Sequence, residues 1–310
     1  MQEANNFCVR IEESHPVHLW RYGDIDLWPV IKSQLQKALR PPTQRKPSKR
    51  PVGQLLRQLP SLLNFIILPS AEAVLLSHPT CRRYQIEGQW ADAVMDPLRL
   101  KGQLKDSSCL ALEFSGSHPR RLPTLLSTLS LDALFLLGRF WPSSLMELDL
   151  PDHDAVLEKA SFELKPLLNV AYLKKLAHKL DKQARLMSWL LKKCHAKSLY
   201  VDTYYSWECF ASLLAAHRLN IKSFDVQHGL QGAQHAMYGQ WTSWQKKKWP
   251  NTLPSHFLCR SSNDVLNIAR WAGKECASLL SISETRSLHL DSSEFLKEKQ
   301  HVLNLSLIHI

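Results

Sequence analysis

The chain has 310 residues, 45% of them hydrophobic, and carries a formal net charge of +11. That length suits two domains of ordinary size, and no apolar run reaches the roughly 18 residues that a bilayer crossing needs, which argues against a membrane-spanning helix. The positive excess implies an anionic partner, whether nucleic acid, acidic lipid, a phosphorylated donor or an acidic polymer, and the opening Met1-Gln-Glu-Ala-Asn-Asn6 lacks the basic-then-apolar profile of a secretory leader, so a cytoplasmic location is expected.

Three segments are expected in chain order: an N-terminal helix and basic linker over 1–51, an α/β domain over 52–280, and a polar linker with the start of a further domain over 281–310. Pro29 can occupy the first turn of a helix whose apolar side is Val30, Ile31, Leu35, Ala38 and Leu39. The run Arg40-Pro-Pro-Thr-Gln-Arg-Lys-Pro-Ser-Lys-Arg-Pro51 is too rich in proline for a continuous helix and reads as an extended linker. Strands are expected at 62–68 and 109–114, 73–76 is expected to form another strand or continue the core, and 122–140 is apolar enough for a buried helix or two. The longest helical pattern lies between Glu158 and Lys193, where Leu173, Leu176, Ala177, Leu180, Ala184, Met187 and Leu190 recur at three or four residues. Then come a strand at 197–205, a helix at 206–218 and a strand from Ile221, which together spell the unit that favours parallel strands. A long irregular stretch over 230–254 precedes a strand at 256–259, a helix at 263–272 and a last strand at 301–310.

Neither Gly-x-Gly-x-x-Gly nor Gly-x-x-x-x-Gly-Lys-Ser/Thr occurs, which weakens an ATPase or dehydrogenase reading, and no cofactor is assigned. The seven cysteines are scattered without a Cys-x-x-Cys pair, and no His-Glu-x-x-His spacing is present, so the sequence offers no positive sign of a disulfide framework or a metal site.

The candidate chemistry gathers where the strand Ile221-Lys-Ser-Phe-Asp-Val226 runs into Gln227-His228-Gly229. Open α/β sheets bind ligands beyond the carboxyl ends of their strands, and a neutral imidazole there could take a proton from an acceptor hydroxyl. Gln227 could serve sugar hydroxyls, Gly229 could let a ligand approach the backbone, and Tyr238 or Trp241 could stack on a sugar face. His235 belongs to the same cluster. Upstream, Asp202, Tyr205 and Glu208 lie where the preceding strand hands over to a helix that Ser206 could cap, with Asp202 and Glu208 able to orient His228. Arg82 or Arg83 could hold a phosphate bidentately. Each has a plainer reading as well: a loop-satisfying histidine, helix-dipole carboxylates and surface arginines.

The stretch Tyr200-Val-Asp-Thr-Tyr-Tyr-Ser-Trp-Glu208, with Asp225-Val-Gln-His-Gly-Leu-Gln-Gly232, His235, Tyr238-Gly-Gln-Trp241 and Leu253-Pro-Ser-His-Phe-Leu258, resembles bacterial surface-polysaccharide (capsule or lipopolysaccharide) biosynthesis proteins of the GT-B glycosyltransferase type. Trp20-Arg-Tyr-Gly-Asp-Ile-Asp-Leu-Trp28 and the region from Arg83 to Leu98 are similar to that group too. The resemblance implies a Rossmann-like parallel sheet flanked by helices, the acceptor-side half of a two-domain architecture whose donor half would lie beyond a chain truncated near residue 300. It implies transfer of a sugar from a nucleotide-activated donor to a glycan acceptor, with His228 as general base, Gln227, Gly229 and His235 lining the cleft, and little or no turnover by the fragment alone. Polyol-phosphate transfer and a non-catalytic glycan- or polyanion-binding module are the alternatives. Peripheral contact with an acidic membrane is expected, whereas nucleic-acid binding rests on charge alone and is not.

Overall fold

The computed structural model describes residues 2–38, 65, 68–100, 104, 107–114, 122–143, 145–229, 232–242, 244 and 247–280. The basic linker at 40–51, most of the strand expected at 62–68 and the whole of 281–310 lie outside the described residues. In chain order the elements are α1 (Gln2–Ser14), β1 (Arg21–Tyr22), β2 (Ile25–Asp26), α2 (Trp28–Ala38), β3 (Ala73–Ser77), β4 (Arg82–Ile86), β5 (Gln89–Asp92), α3 (Met95–Leu100), β6 (Cys109–Glu113), β7 (Leu129–Ser130), α4 (Asp132–Leu137) and β8 (Leu148–Asp149). They continue as α5 (His153–Lys159), α6 (Lys165–Leu168), α7 (Val170–Lys193), β9 (Ser198–Val201), α8 (Trp207–Arg218), β10 (Lys222–Val226), β11 (His256–Cys259), α9 (Ser262–Ala272) and β12 (Ala277–Leu279).

Seven strands form one sheet in the order β12-β11-β10-β9-β3-β6-β7, and every neighbouring pair is parallel. The protein is an α/β fold of Rossmann-like type. A parallel sheet covered on both faces needs apolar side chains on both sides of each strand, and Ala73-Val-Leu-Leu-Ser77 is buried throughout. Period-two alternation then sorts them. Val74, Leu76, Leu110, Leu112, Leu199, Val201, Phe257 and Cys259 enter one core, while Ala73, Leu75, Ala111, Tyr200, Val226 and Leu258 enter the other. The first core is covered by α7, α8 and α9, and the second by Val94, Met95 and Leu98 around α3.

Local chemistry sets the helix starts. The Asn169 side chain accepts the Ala171 N–H at 2.9 Å to open α7, and Ser206 and Ser261 accept the N–H groups of Cys209 and Asp264 to open α8 and α9. Pro166 lies inside the short α6, ahead of α7. Between 122 and 140 the chain is less helical than its apolar content suggests: it holds β7, the six-residue α4 and a 3-10 turn at Gly138–Phe140. The expected strands at 73–76, 109–114, 197–205, 221–226 and 256–259 and the helices at 206–218 and 263–272 are all present, shifted by a few residues at their ends.

Residues 2–38 share the larger core, with Trp20, Tyr22, Trp28 and Leu35 buried among α7 and α8. The amphipathic α1 has no counterpart in the sequence reading. It is held by Glu12, whose carboxylate accepts the Trp28 indole N–H at 2.8 Å and the buried Lys32 ammonium at 2.7 Å. The Lys32 ammonium also donates to the Gln240 carbonyl, and Glu12 accepts the Thr242 N–H at 3.0 Å. Asp26 and Asn251 exchange two hydrogen bonds of 3.0 Å, tying the β1–β2 ribbon to the approach to β11. No helix among the described residues is long and apolar enough to cross a membrane.

Candidate functional site at the carboxyl rim of the sheet

β3 and β9 sit side by side where the strand order reverses, with β6 and β7 on one flank and β10, β11 and β12 on the other. In open parallel sheets this switch point leaves a crevice beyond the strands' carboxyl ends. The registers align Leu76 with Val201, Val201 with Asp225, and Val226 with Leu258. The residues that follow therefore share one edge: His78, Asp202, Gln227, His228 and Arg260.

His228 is half-buried on this edge. Its imidazole hydrogen-bonds the main chain of Asp202, and its ring lies 6.5 Å from that of Tyr205. Burial first, and then the nearby Arg83 and Arg260 cations, hold its pKa down at about 4 against the opposing hydrogen bond. The ring is accordingly neutral at neutral pH, the state in which it can accept a proton.

Asp202 is fully buried, and its Oδ2 accepts the His78 N–H at 2.9 Å and the Cys81 thiol at 2.9 Å. Its carboxylate thus faces the β3 side, and it is the Asp202 main chain that orients His228. Burial pushes its pKa up to about 7. Asp225, which accepts the Tyr204 N–H at 3.0 Å and the Tyr238 hydroxyl at 2.7 Å, is also pushed up to about 7 by burial. Asp96 behaves likewise, through burial and then the neighbouring Asp92.

Gln227 is buried and committed to the loop: Oε1 accepts the Arg260 N–H at 2.6 Å, and Nε2 donates to the Gly229 carbonyl at 2.8 Å and to Asp264 at 2.9 Å. It positions the rim and leaves no amide group for sugar hydroxyls. A Cβ at Gly229 would meet open space, so the backbone there is accessible.

The remaining candidates separate. Tyr205 and His235 stay with His228, their rings 5.5 Å apart, and both are half-buried. Tyr238 and Trp241 are 1% and 7% exposed, too buried to stack on a sugar. They serve the core instead, where the Trp241 indole donates to the Met237 carbonyl at 2.9 Å and lies 5.7 Å from the Trp271 ring. Gly239 makes that turn possible, since a Cβ would collide with the Ala233 main chain. Glu208 lies in the first turn of α8 with Lys37, Asp132 and Lys179 as its charged surroundings, none of which surrounds His228. Arg82 is buried against Glu113 and Thr128, whereas Arg83 is exposed beside the rim. Arg260 escaped the sequence reading, although a residue immediately following a parallel strand was a signal that could have found it.

All seven cysteines are free, and among the described residues no group of His, Cys, Asp or Glu is placed to hold a metal ion. No protein-family model, no curated protein and no solved structure matches the chain.

Proposed function

We propose that this chain is the acceptor-side part of a glycosyltransferase of bacterial surface-polysaccharide biosynthesis, in which His228 takes the proton of the acceptor hydroxyl as a nucleotide-activated donor transfers its sugar. The observation that carries the reading is the position of a neutral, half-buried imidazole at the carboxyl rim, one strand from the switch point, with its ring oriented by the Asp202 main chain. Tyr205, His235 and the Gly229 backbone line the acceptor side. The exposed Phe140 and Trp189, with the Lys193 ammonium over the Trp189 ring, offer a surface for peripheral contact with acidic lipid.

A donor screen on the protein, with product detected by mass, tests the reading. Transfer of a sugar to a glycan acceptor is expected, with His228→Ala reducing it by about 10²-fold or more, the range for loss of a general base. Near wild-type transfer by His228→Ala, in a variant whose thermal unfolding is unchanged, would remove the imidazole from the chemistry. The non-catalytic glycan-binding reading would be favoured by acceptor binding without transfer of any donor.

A further inference from the structure

Two arginines, Arg83 and Arg260, stand beside His228 at the rim, and Asp92 is the carboxylate that acts on Arg260. Arg83 belongs to β4, in the separate two-stranded β4–β5 sheet, and Arg260 follows β11 of the seven-stranded sheet. The Arg260 side chain reaches the Ala93 carbonyl at 3.4 Å, and the Ala93 N–H donates at 2.8 Å to the carbonyl of Cys81, two residues before Arg83. Gln227 fixes the Arg260 backbone to the His228 loop. Burial and then Arg83 lower the pKa of Arg260, and both arginines disfavour the charged form of His228.

The contrast with other arginines is informative. Arg21, Arg82, Arg185 and Arg218 each lie against a carboxylate. Among the described residues, neither Arg83 nor Arg260 forms an ion pair. Two buried acids of this region each have one oxygen engaged: Asp92 Oδ1 accepts the N–H groups of Val94 and Met95, and Asp202 Oδ2 accepts the His78 N–H and the Cys81 thiol. Like charges held together at a ligand crevice are stabilised when a bound anion supplies the opposite charge, and paired guanidinium forks match the oxygens of a phosphoryl group.

We propose that Arg83 and Arg260 clamp a phosphoryl or diphosphoryl group beside His228, so that the substrate bound at this rim is a phosphate-bearing carbohydrate. The inference rests on the rim being a substrate site, as read above, and not on His228 acting as the base. Two sources supply the same chemistry: the diphosphate of a nucleotide-activated donor, and the phosphate that joins a glycan acceptor to an isoprenoid lipid. A bound phosphate also offsets the two positive charges that depress the His228 pKa, making the ring a better base when substrate is present.

Titration calorimetry on the protein with inorganic pyrophosphate, uridine diphosphate and farnesyl phosphate tests the clamp. Saturable pyrophosphate binding is expected, weakened at least about tenfold by Arg83→Ala and by Arg260→Ala, with Arg83→Lys retaining part of it. Arg270→Ala, which removes the same charge from α9, is expected to bind as the wild type does. Preference for uridine diphosphate marks the donor as the source, and preference for farnesyl phosphate marks a lipid-linked acceptor. The NMR titration midpoint of His228 should rise on adding pyrophosphate. Absence of saturable binding, equal losses in the Arg270 and Arg83 variants, or an unmoved His228 midpoint would each overturn the clamp. Transfer that survives His228→Ala while pyrophosphate binding still depends on both arginines would remove the base and leave the clamp standing.

Discussion

Gln227 bridges Arg260 and its own loop: one end of its amide accepts the Arg260 main-chain N–H at 2.6 Å and the other donates to the Gly229 carbonyl at 2.8 Å. A side chain this buried whose donor and acceptor are both used is costly to replace. Gln227→Glu would set a second carboxylate against Asp264, which now accepts the amide at 2.9 Å. A loss of roughly 2–3 kcal/mol is expected, measured by urea unfolding, with Gln227→Ala slightly milder. Unchanged stability in both variants would show that the bridge does not form.

The pH behaviour of His228 follows from its depressed pKa. Between pH 6.5 and 4 the unfolded chain binds a proton on this ring and the folded chain does not, so its contribution to stability is present at neutral pH and is lost as the pH falls toward 4. An NMR titration should place the midpoint of His228 near 4, well below that of an ordinary histidine. A midpoint near 6.5 would mean that the ring is solvated and sits away from the arginines.

Asp202 has the opposite sign. Its folded pKa is raised to about 7, so the folded state keeps a proton that the unfolded carboxyl releases near pH 4, and the stability this carboxyl contributes at low pH is lost as pH rises through 7. Asp202→Asn mimics the protonated form and retains an acceptor for the His78 N–H and the Cys81 thiol. Comparing unfolding at pH 5 and pH 8, the variant should gain on the wild type by roughly 1 kcal/mol or more at the higher pH. Parallel stability curves for the two proteins would exclude a raised Asp202 pKa.

The Lys32–Glu12 pair is buried, at 2.7 Å, and Glu12 carries further bonds to Trp28 and Thr242. Breaking one member leaves the other charge stranded. Lys32→Ala is expected to cost about 3–5 kcal/mol, and Lys32→Met with Glu12→Gln should recover part of it. The check is a double-mutant cycle on unfolding free energies, in which additive losses would mean that the two groups act independently.

Much of the sheet was legible in the sequence because its strands are short apolar runs between polar breaks, as at 73–77 and 222–226, and because α7 repeats its apolar residues with helical spacing. The two hairpins were not legible. β4 and β5 turn through Glu87 and Gly88, both at positive φ, a geometry that Asn-Gly would have advertised and Glu-Gly does not. The placement of His228 at the rim could be read from a strand running into a polar loop. The roles of Tyr238, Trp241 and Gln227 could not, since an aromatic or an amide near a histidine looks the same in sequence whether it faces a ligand or the core. What settles their fate is contact with Asp225, Trp271 and Arg260, groups supplied by other segments of the fold.

The bonds from Glu12 to Thr242 and from Asp26 to Asn251 join α1 and β2 to segments made more than 200 residues later. During synthesis the first two helices leave the ribosome long before their partners exist, with Trp20, Trp28 and a lysine destined for burial still uncovered. Contacts this distant along the chain slow folding and prolong exposure of apolar surface. Nascent chains stalled before residue 240 should therefore be captured by chaperones through their first forty residues.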